Sequence, residues 1–268
     1  MQKLGVVEDT LFVPMLGRIY ASEYCPQILY DKKALELKNK LPSDLIEQNK
    51  QNQYTLLASA SRSANMDRFI QSFLERRPDG VIVQLGCGLE TTYYRCDNGK
   101  TCWYAVDLPH VIEYRRGLLP EPEREFYISG DAFAKDWIKK VRNDVLDAPI
   151  LVIAGGLFHY FEEHKVVALL RMIKQFGNME VVFDTVNKKG MAMMQKKYMK
   201  QVGHADAQMF FYVDSAKELA AKIGSNAKVI AEEPYYRYIP RNSLNLSTRL
   251  SMAVSDRLCM VKMIQLKL

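Results

Sequence analysis

The sequence predicts a doubly wound α/β fold built on a mostly parallel, seven-stranded sheet. Three observations carry this expectation. Short aliphatic and β-branched runs recur through the middle of the chain, helix-length segments separate them, and the first run ends in a glycine-rich turn. Continuous apolar runs of this length suit strands covered on both faces, as parallel strands are.

The elements follow in order. Residues 1–60 look helical and polar and are expected to form an N-terminal cap outside the sheet, ahead of a main domain over 61–268. A helix is expected over 64–77, where Met66, Phe69, Ile70, Phe73 and Leu74 recur at helical spacing before Pro78. Strands are expected at Val81–Leu85, 102–108, Glu125–Ser129, Ile150–Ala154 and 180–184. Helices are expected over 162–176, stopped by Gly177, and over 215–223, stopped by Gly224. The tail breaks the alternation, since 228–232 and 258–268 both read as strands with no helix legible between them. A parallel pair needs a long crossover, so an antiparallel C-terminal edge strand is expected. Residues 188–213 form an insertion rich in methionine (Met191, Met193, Met194, Met199, Met209), an adaptable apolar surface suited to a substrate cap.

At 268 residues the chain is ample for one large core. Its net charge of +6 could help attract an anionic substrate, but the basic residues occur in scattered pairs such as Lys32-Lys33, Arg115-Arg116 and Lys188-Lys189. Without a basic stripe, nucleic acid is not an expected partner. No apolar run of about 18 residues is present and the first nine residues lack a leader pattern, so a cytoplasmic protein with no membrane partner is expected. The cysteine count is odd, no CxxC occurs, and the four histidines lack metal-ligand spacing, so no metal is expected.

Gly86-Cys87-Gly88-Leu89-Glu90-Thr91 follows the first strand directly. A glycine turn there lets backbone approach a nucleotide-like ligand at the carboxyl end of the sheet, although G-x-G alone marks any tight turn. Asp107 closes the second strand, where a carboxylate can accept from both ribose hydroxyls. Thr91 stands where a dinucleotide site has its third glycine, which favours a single nucleoside without phosphates. After the third strand, Asp131 could accept from an adenine amino group while the Ala132 amide meets a ring nitrogen.

These segments resemble the leucine carboxyl methyltransferase family, and within it the bacterial small-molecule branch of polyketide O-methyltransferases, tetracenomycin type. The resemblance runs through Leu16-Gly17-Arg18, residues 28–34, residues 62–67, residues 85–91 with Arg95, Val106-Asp107-Leu108-Pro109, Leu118-Leu119-Pro120, Asp131 with Trp137, and residues 156–161. It implies a class I, Rossmann-like fold and S-adenosylmethionine as methyl donor. Arg62 would then pair with the carboxylate of the donor's methionine part, Gly86 and Gly88 would line the donor, Asp107 with Leu108 would meet the ribose, and Asp131 with Ala132 the adenine. The chain departs from the family in two places. Gly155 stands where a glutamate is common, and Thr92 where an arginine often follows the threonine of the glycine motif.

The expected reaction is transfer of the methyl group to an oxygen of a small molecule, a carboxylate first, with polyketide-like aromatics among the acceptors expected. A carboxylate is ionised at neutral pH and needs no base, whereas a phenol gains from one. His159 is the candidate base and Tyr160 the candidate orienting group, while Arg18 and Lys188 are candidate partners for an acceptor carboxylate. Three alternatives stay open: a donor-binding module without catalysis, a nicotinamide-dependent oxidoreductase, and a methyltransferase acting on a protein C-terminus. The acceptor's identity and the oligomeric state are not legible.

Overall fold

The computed structural model describes residues 6–41, 51–201 and 208–268. In chain order its main elements are helices α1 (Val6–Tyr24), α2 (Lys32–Leu37) and α3 (Gln53–Arg76), strand β1 (Val81–Leu85), α4 (Thr92–Cys96), β2 (Trp103–Asp107), α5 (Pro109–Leu118), β3 (Glu125–Ser129), α6 (Asp136–Val145), β4 (Ile150–Ala154), α7 (Glu163–Gln175), β5 (Met179–Val186), α8 (Lys188–Gln201), α9 (Ala216–Ile223), β6 (Lys228–Pro234), α10 (Leu246–Arg257) and β7 (Val261–Lys267). The strands form one seven-stranded sheet in the order β3-β2-β1-β4-β5-β7-β6. The first five are parallel, and β7 runs antiparallel to both β5 and β6. The expected antiparallel C-terminal strand is therefore present in the β6–β7 edge pair, with β6 as its outermost member.

The apolar runs are continuous because both faces of the central strands are buried. Val81, Val83 and Leu85 of β1 join Trp137, Ile138 and Val141 of α6 and Leu170 and Ile173 of α7 in one cluster. Ile82 of the same strand, with Leu151 and Ile153 of β4, packs on Phe69, Ile70, Phe73 and Leu74 of α3 on the opposite face. Strand order reverses beside β1, whose neighbours are β2 and β4. That switch point opens a crevice at the carboxyl ends of the strands.

The structure changes three expectations. Helix α3 starts at Gln53 rather than 64, capped by the Asn52 side chain, which accepts from the Thr55 amide, so the expected cap boundary at residue 60 falls inside it. Its first half was hard to read because small residues (Ala60, Ser61, Ser63) serve as its buried face. Close approach to α1 rests on Gly17, where a Cβ would sit 2.5 Å from the Leu56 carbonyl oxygen and 2.9 Å from Ser59 Cβ. The N-terminal region is also not simply polar: Phe12, Met15, Leu16 and Ile19 of α1 make a core with Leu37, Leu56, Leu89 and Leu119. Leu89 belongs to the glycine turn, so this cluster ties the cap to the site.

The third change is α10, a helix between the last two strands. Its buried positions are Thr248, Met252 and Ser255, while Leu246, Leu250 and Val254 face outward. With the apolar stripe reversed, periodicity points the wrong way, and the only readable sign is Asn245, which caps the Thr248 amide. In the methionine-rich insertion, Met191 and Met209 pack with Val186, Met193 is exposed, and Met199 lies outside the residues whose side chains are described. No helix among the described residues is long and apolar enough to cross a membrane.

Candidate active site

Three strand ends build one half of the crevice. After β1 the chain turns through Gly86 (φ 61°) and Gly88 (φ 45°), backbone that favours glycine. Asp107, at the end of β2, accepts from the Gly88 amide through Oδ2 (2.8 Å) and from the Leu108 amide through Oδ1 (2.8 Å). Its carboxylate thus fixes the glycine turn against β2, and burial pushes its pKa above the ordinary aspartate value. Asp131, beyond β3, is exposed and accepts from the Phe133 amide (2.8 Å), with Ala132 buried beside it. Leu108, next to Asp107, has an exposed apolar side chain. The structure thus brings Gly86, Gly88, Asp107, Leu108, Asp131 and Ala132 to one rim.

A buried ionic network underpins the turn. Arg18 donates to Asp31 (3.1 Å), Glu90 (2.9 Å) and the Leu89 carbonyl (2.7 Å). Arg95 grips Asp67 through Nε (2.6 Å) and Nη2 (2.9 Å) and also reaches Asp31 (2.7 Å) and Glu90 (3.0 Å). The hydroxyl of Thr91 joins Asp31 to Arg95, which explains a buried threonine in the glycine motif. Arg18 is 1% exposed and fully engaged, so it is not available to an acceptor carboxylate as expected. Lys188, by contrast, lies exposed at the start of α8. Burial alone would raise the pKa of Glu90, but Arg18, Arg95, the Thr91 amide and the Ser63 hydroxyl hold it down to about 2. A depressed carboxyl stabilises the fold above its unfolded pKa, and that contribution is lost as pH falls toward the folded value. Between the ordinary 4.5 and about 2 the loss amounts to about 3 kcal/mol. Urea unfolding of the wild type and of Glu90→Gln at neutral pH and near pH 3 checks this, with the variant expected to lack this part of the acid sensitivity.

The ends of β4 and β5 build the other half. Asp184 of β5 accepts from Arg62 Nε (2.9 Å) and His159 Nε2 (3.3 Å) through Oδ2, and from the Gly156 amide through Oδ1 (2.6 Å). Burial opposes ionisation of Asp184, but the Arg62 guanidinium and the His159 hydrogen bond outweigh it and hold the carboxyl well below the usual range. Gly156 has φ 69°, and a Cβ there would sit 2.5 Å from Arg62 Nη1, so only glycine admits this arginine. His159 is buried on the 3-10 turn Phe158–Tyr160, and its Nδ1 is covered and has no partner among the described residues. Tyr160 is partly exposed beside it. Asp184 escaped the sequence reading, although it carries the same signal as Asp107, an acid at the end of a buried apolar run. A cavity of about 520 Å³ opens at the same end of the molecule, lined by Tyr54, Met193, Leu250 and Met260 among others, but none of the crevice residues named above lines it.

The family model for leucine carboxyl methyltransferases matches residues 6–174, from α1 to the end of α7. The chain belongs to the leucine carboxyl methyltransferase family. It is similar to the tetracenomycin polyketide synthesis O-methyltransferase TcmP of Streptomyces glaucescens, at 30% identity over 186 residues, or 69% of this chain and 67% of the relative. Among solved structures it resembles a DUF574 family protein from Streptomyces avermitilis (TM-score 0.59, 13% identity, covering 94% of this chain and 96% of the other). It also resembles magnesium protoporphyrin IX methyltransferase from Synechocystis with bound S-adenosylhomocysteine (TM-score 0.50, 9% identity, 93% and 96% covered). These two likenesses concern the fold. The protein is an S-adenosylmethionine-dependent O-methyltransferase, with the class I sheet.

The residues present fit that donor. Two glycines at positive φ, a carboxylate at the end of β2, an exposed leucine beside it and an arginine held at the ends of β4 and β5 are chemically suited to a nucleoside carrying an amino-acid tail. The departures from the family pattern have local explanations. Gly155 leaves room for the Arg62 stem, since a Cβ there would sit 3.2 Å from Arg62 Cδ. Thr92 is buried and accepts from Arg95 Nη2 (3.3 Å).

Proposed function

We propose that the enzyme methylates a carboxylate of a small molecule such as a polyketide-like aromatic, and works in the cytoplasm, where its five free cysteines stay reduced. The observation that carries the carboxylate is the orientation of His159. Its Nε2 is turned to Asp184 and its Nδ1 is covered, so the candidate base does not face an acceptor. A carboxylate acceptor needs no base, because it is already ionised at neutral pH. The family's description and the TcmP relative support an oxygen acceptor of this kind.

Arg62 binds the carboxylate of the donor's methionine part, Asp107 the ribose and Asp131 the adenine edge. When bound, the sulfonium donor supplies the methyl group as an electrophile. The protein's own task is to orient the acceptor and keep water out. Tyr160, partly exposed beside the Arg62–Asp184 pair, is placed to orient the acceptor carboxylate, and Lys188 to attract it.

The test is incubation with S-adenosylmethionine and matched pairs of aromatic carboxylic acids and phenols, with products read by mass spectrometry. Methyl esters from the acids and no ethers from the phenols are the expected result. Ethers alone would overturn the carboxylate assignment. Donor binding with no product from any acceptor in a broad panel would favour a binding module.

A further inference from the structure

We propose that Asp184 is a positioning residue for the donor, holding Arg62 in the pose that receives the donor's carboxylate, and that His159 acts as a brace for Asp184. The inference rests on the assignment of Arg62 to that carboxylate and extends it to two residues behind it.

An arginine side chain has many rotamers, and Arg62 springs from the middle of a long helix. Three residues reduce its freedom, two of them directly. Asp184 takes its Nε (2.9 Å), and Gly156 leaves the space that Nη1 occupies, where a Cβ would sit 2.5 Å from it. The Gly156 amide (2.6 Å) and His159 Nε2 (3.3 Å) hold the Asp184 carboxylate in turn. Asp184 and His159 are 2% and 4% exposed, whereas Arg62 keeps 28%. The cluster thus has a buried base and one accessible member. An ionised carboxylate only accepts, so the hydrogen in the Asp184–His159 contact lies on Nε2. That leaves Nδ1 without a hydrogen in the neutral ring, yet it is covered, which suits a brace and not a proton acceptor for substrate.

The experiment titrates S-adenosylhomocysteine and 5′-methylthioadenosine, the same nucleoside without the amino-acid tail, into wild type and variants by calorimetry. Asp184→Asn is expected to bind S-adenosylhomocysteine about 10-fold more weakly, through loss of a charge-assisted contact, and methylthioadenosine within about twofold of wild type. Equal losses for both ligands would mean general disruption and would overturn the proposal. His159→Gln, whose amide can still donate to Asp184, should bind S-adenosylhomocysteine within about twofold of wild type, while His159→Leu should lose several-fold. This pair decides the matter if Asp184→Asn does not fold, and a His159→Leu variant that loses turnover but keeps full affinity would overturn the brace. Arg62→Ala separates the two levels. If it leaves S-adenosylhomocysteine affinity intact, the assignment of Arg62 itself fails. If it weakens binding while Asp184→Asn does not, only the positioning role fails.

Discussion

Replacing Arg95 by methionine is expected to destabilise the fold by about 3–5 kcal/mol, the usual cost of removing one partner from a buried charge cluster. Arg95 is 8% exposed and contacts three carboxylates, Asp31, Asp67 and Glu90. Without it, those three acids share Arg18 alone, and Arg18 does not contact Asp67 in this structure. Coulombic repulsion and desolvation then act together. For a chain of this size the thermal midpoint should fall by roughly 10 °C. Lysine should rescue little, because the two-pronged grip on Asp67 needs a planar guanidinium. The pH dependence is part of the claim. The variant lacks one of the charges that depress Glu90, so its deficit against wild type should shrink as pH falls toward 3. A deficit below about 1 kcal/mol at neutral pH would show that the network is only a solvated ion cluster.

The same network shows what the sequence could and could not disclose. The parallel strands were legible because burial on both faces writes a continuous apolar run, as in Val81–Leu85 and Ile150–Ala154. The placement of Gly86, Gly88, Asp107 and Asp131 was legible because each sits at or just beyond the end of a strand, where local sequence and position in the sheet coincide. Arg18, Asp31, Asp67, Glu90 and Arg95 meet across up to 72 positions, and nothing local marks an arginine as buried. Asp184 shares the strand-end signal of Asp107, but it sits within β5, which continues to Val186, so its role depends on Arg62 arriving 122 positions away. Helix α10 was missed for a different reason: its large apolar residues face outward, and periodicity reads the face, not the direction.

With Asp107 assigned to the ribose as proposed, Asp107→Ala is expected to weaken S-adenosylhomocysteine binding by about 100-fold or more, since two charge-assisted hydrogen bonds to ribose hydroxyls would be lost together. The structure makes a sharper demand on Asp107→Asn, normally the gentler change. Both carboxylate oxygens already accept from backbone amides, Oδ2 from Gly88 and Oδ1 from Leu108. An asparagine must point its NH₂ group at one of those N–H groups, and donor against donor opens the glycine turn or the β2 end. Asparagine should therefore bind nearly as poorly as alanine, where a purely ligand-facing aspartate would retain intermediate affinity. Acid titration supplies the second test. Burial raises the Asp107 pKa, so the ionised form that accepts the ribose hydroxyls is lost as pH falls, beginning above 3.8, the ordinary aspartate value. Affinity measured by calorimetry from neutral pH downward should decline at pH values where circular dichroism still shows the native fold. Affinity that holds until the protein unfolds would place the ribose elsewhere and leave Asp107 as a brace for the turn alone.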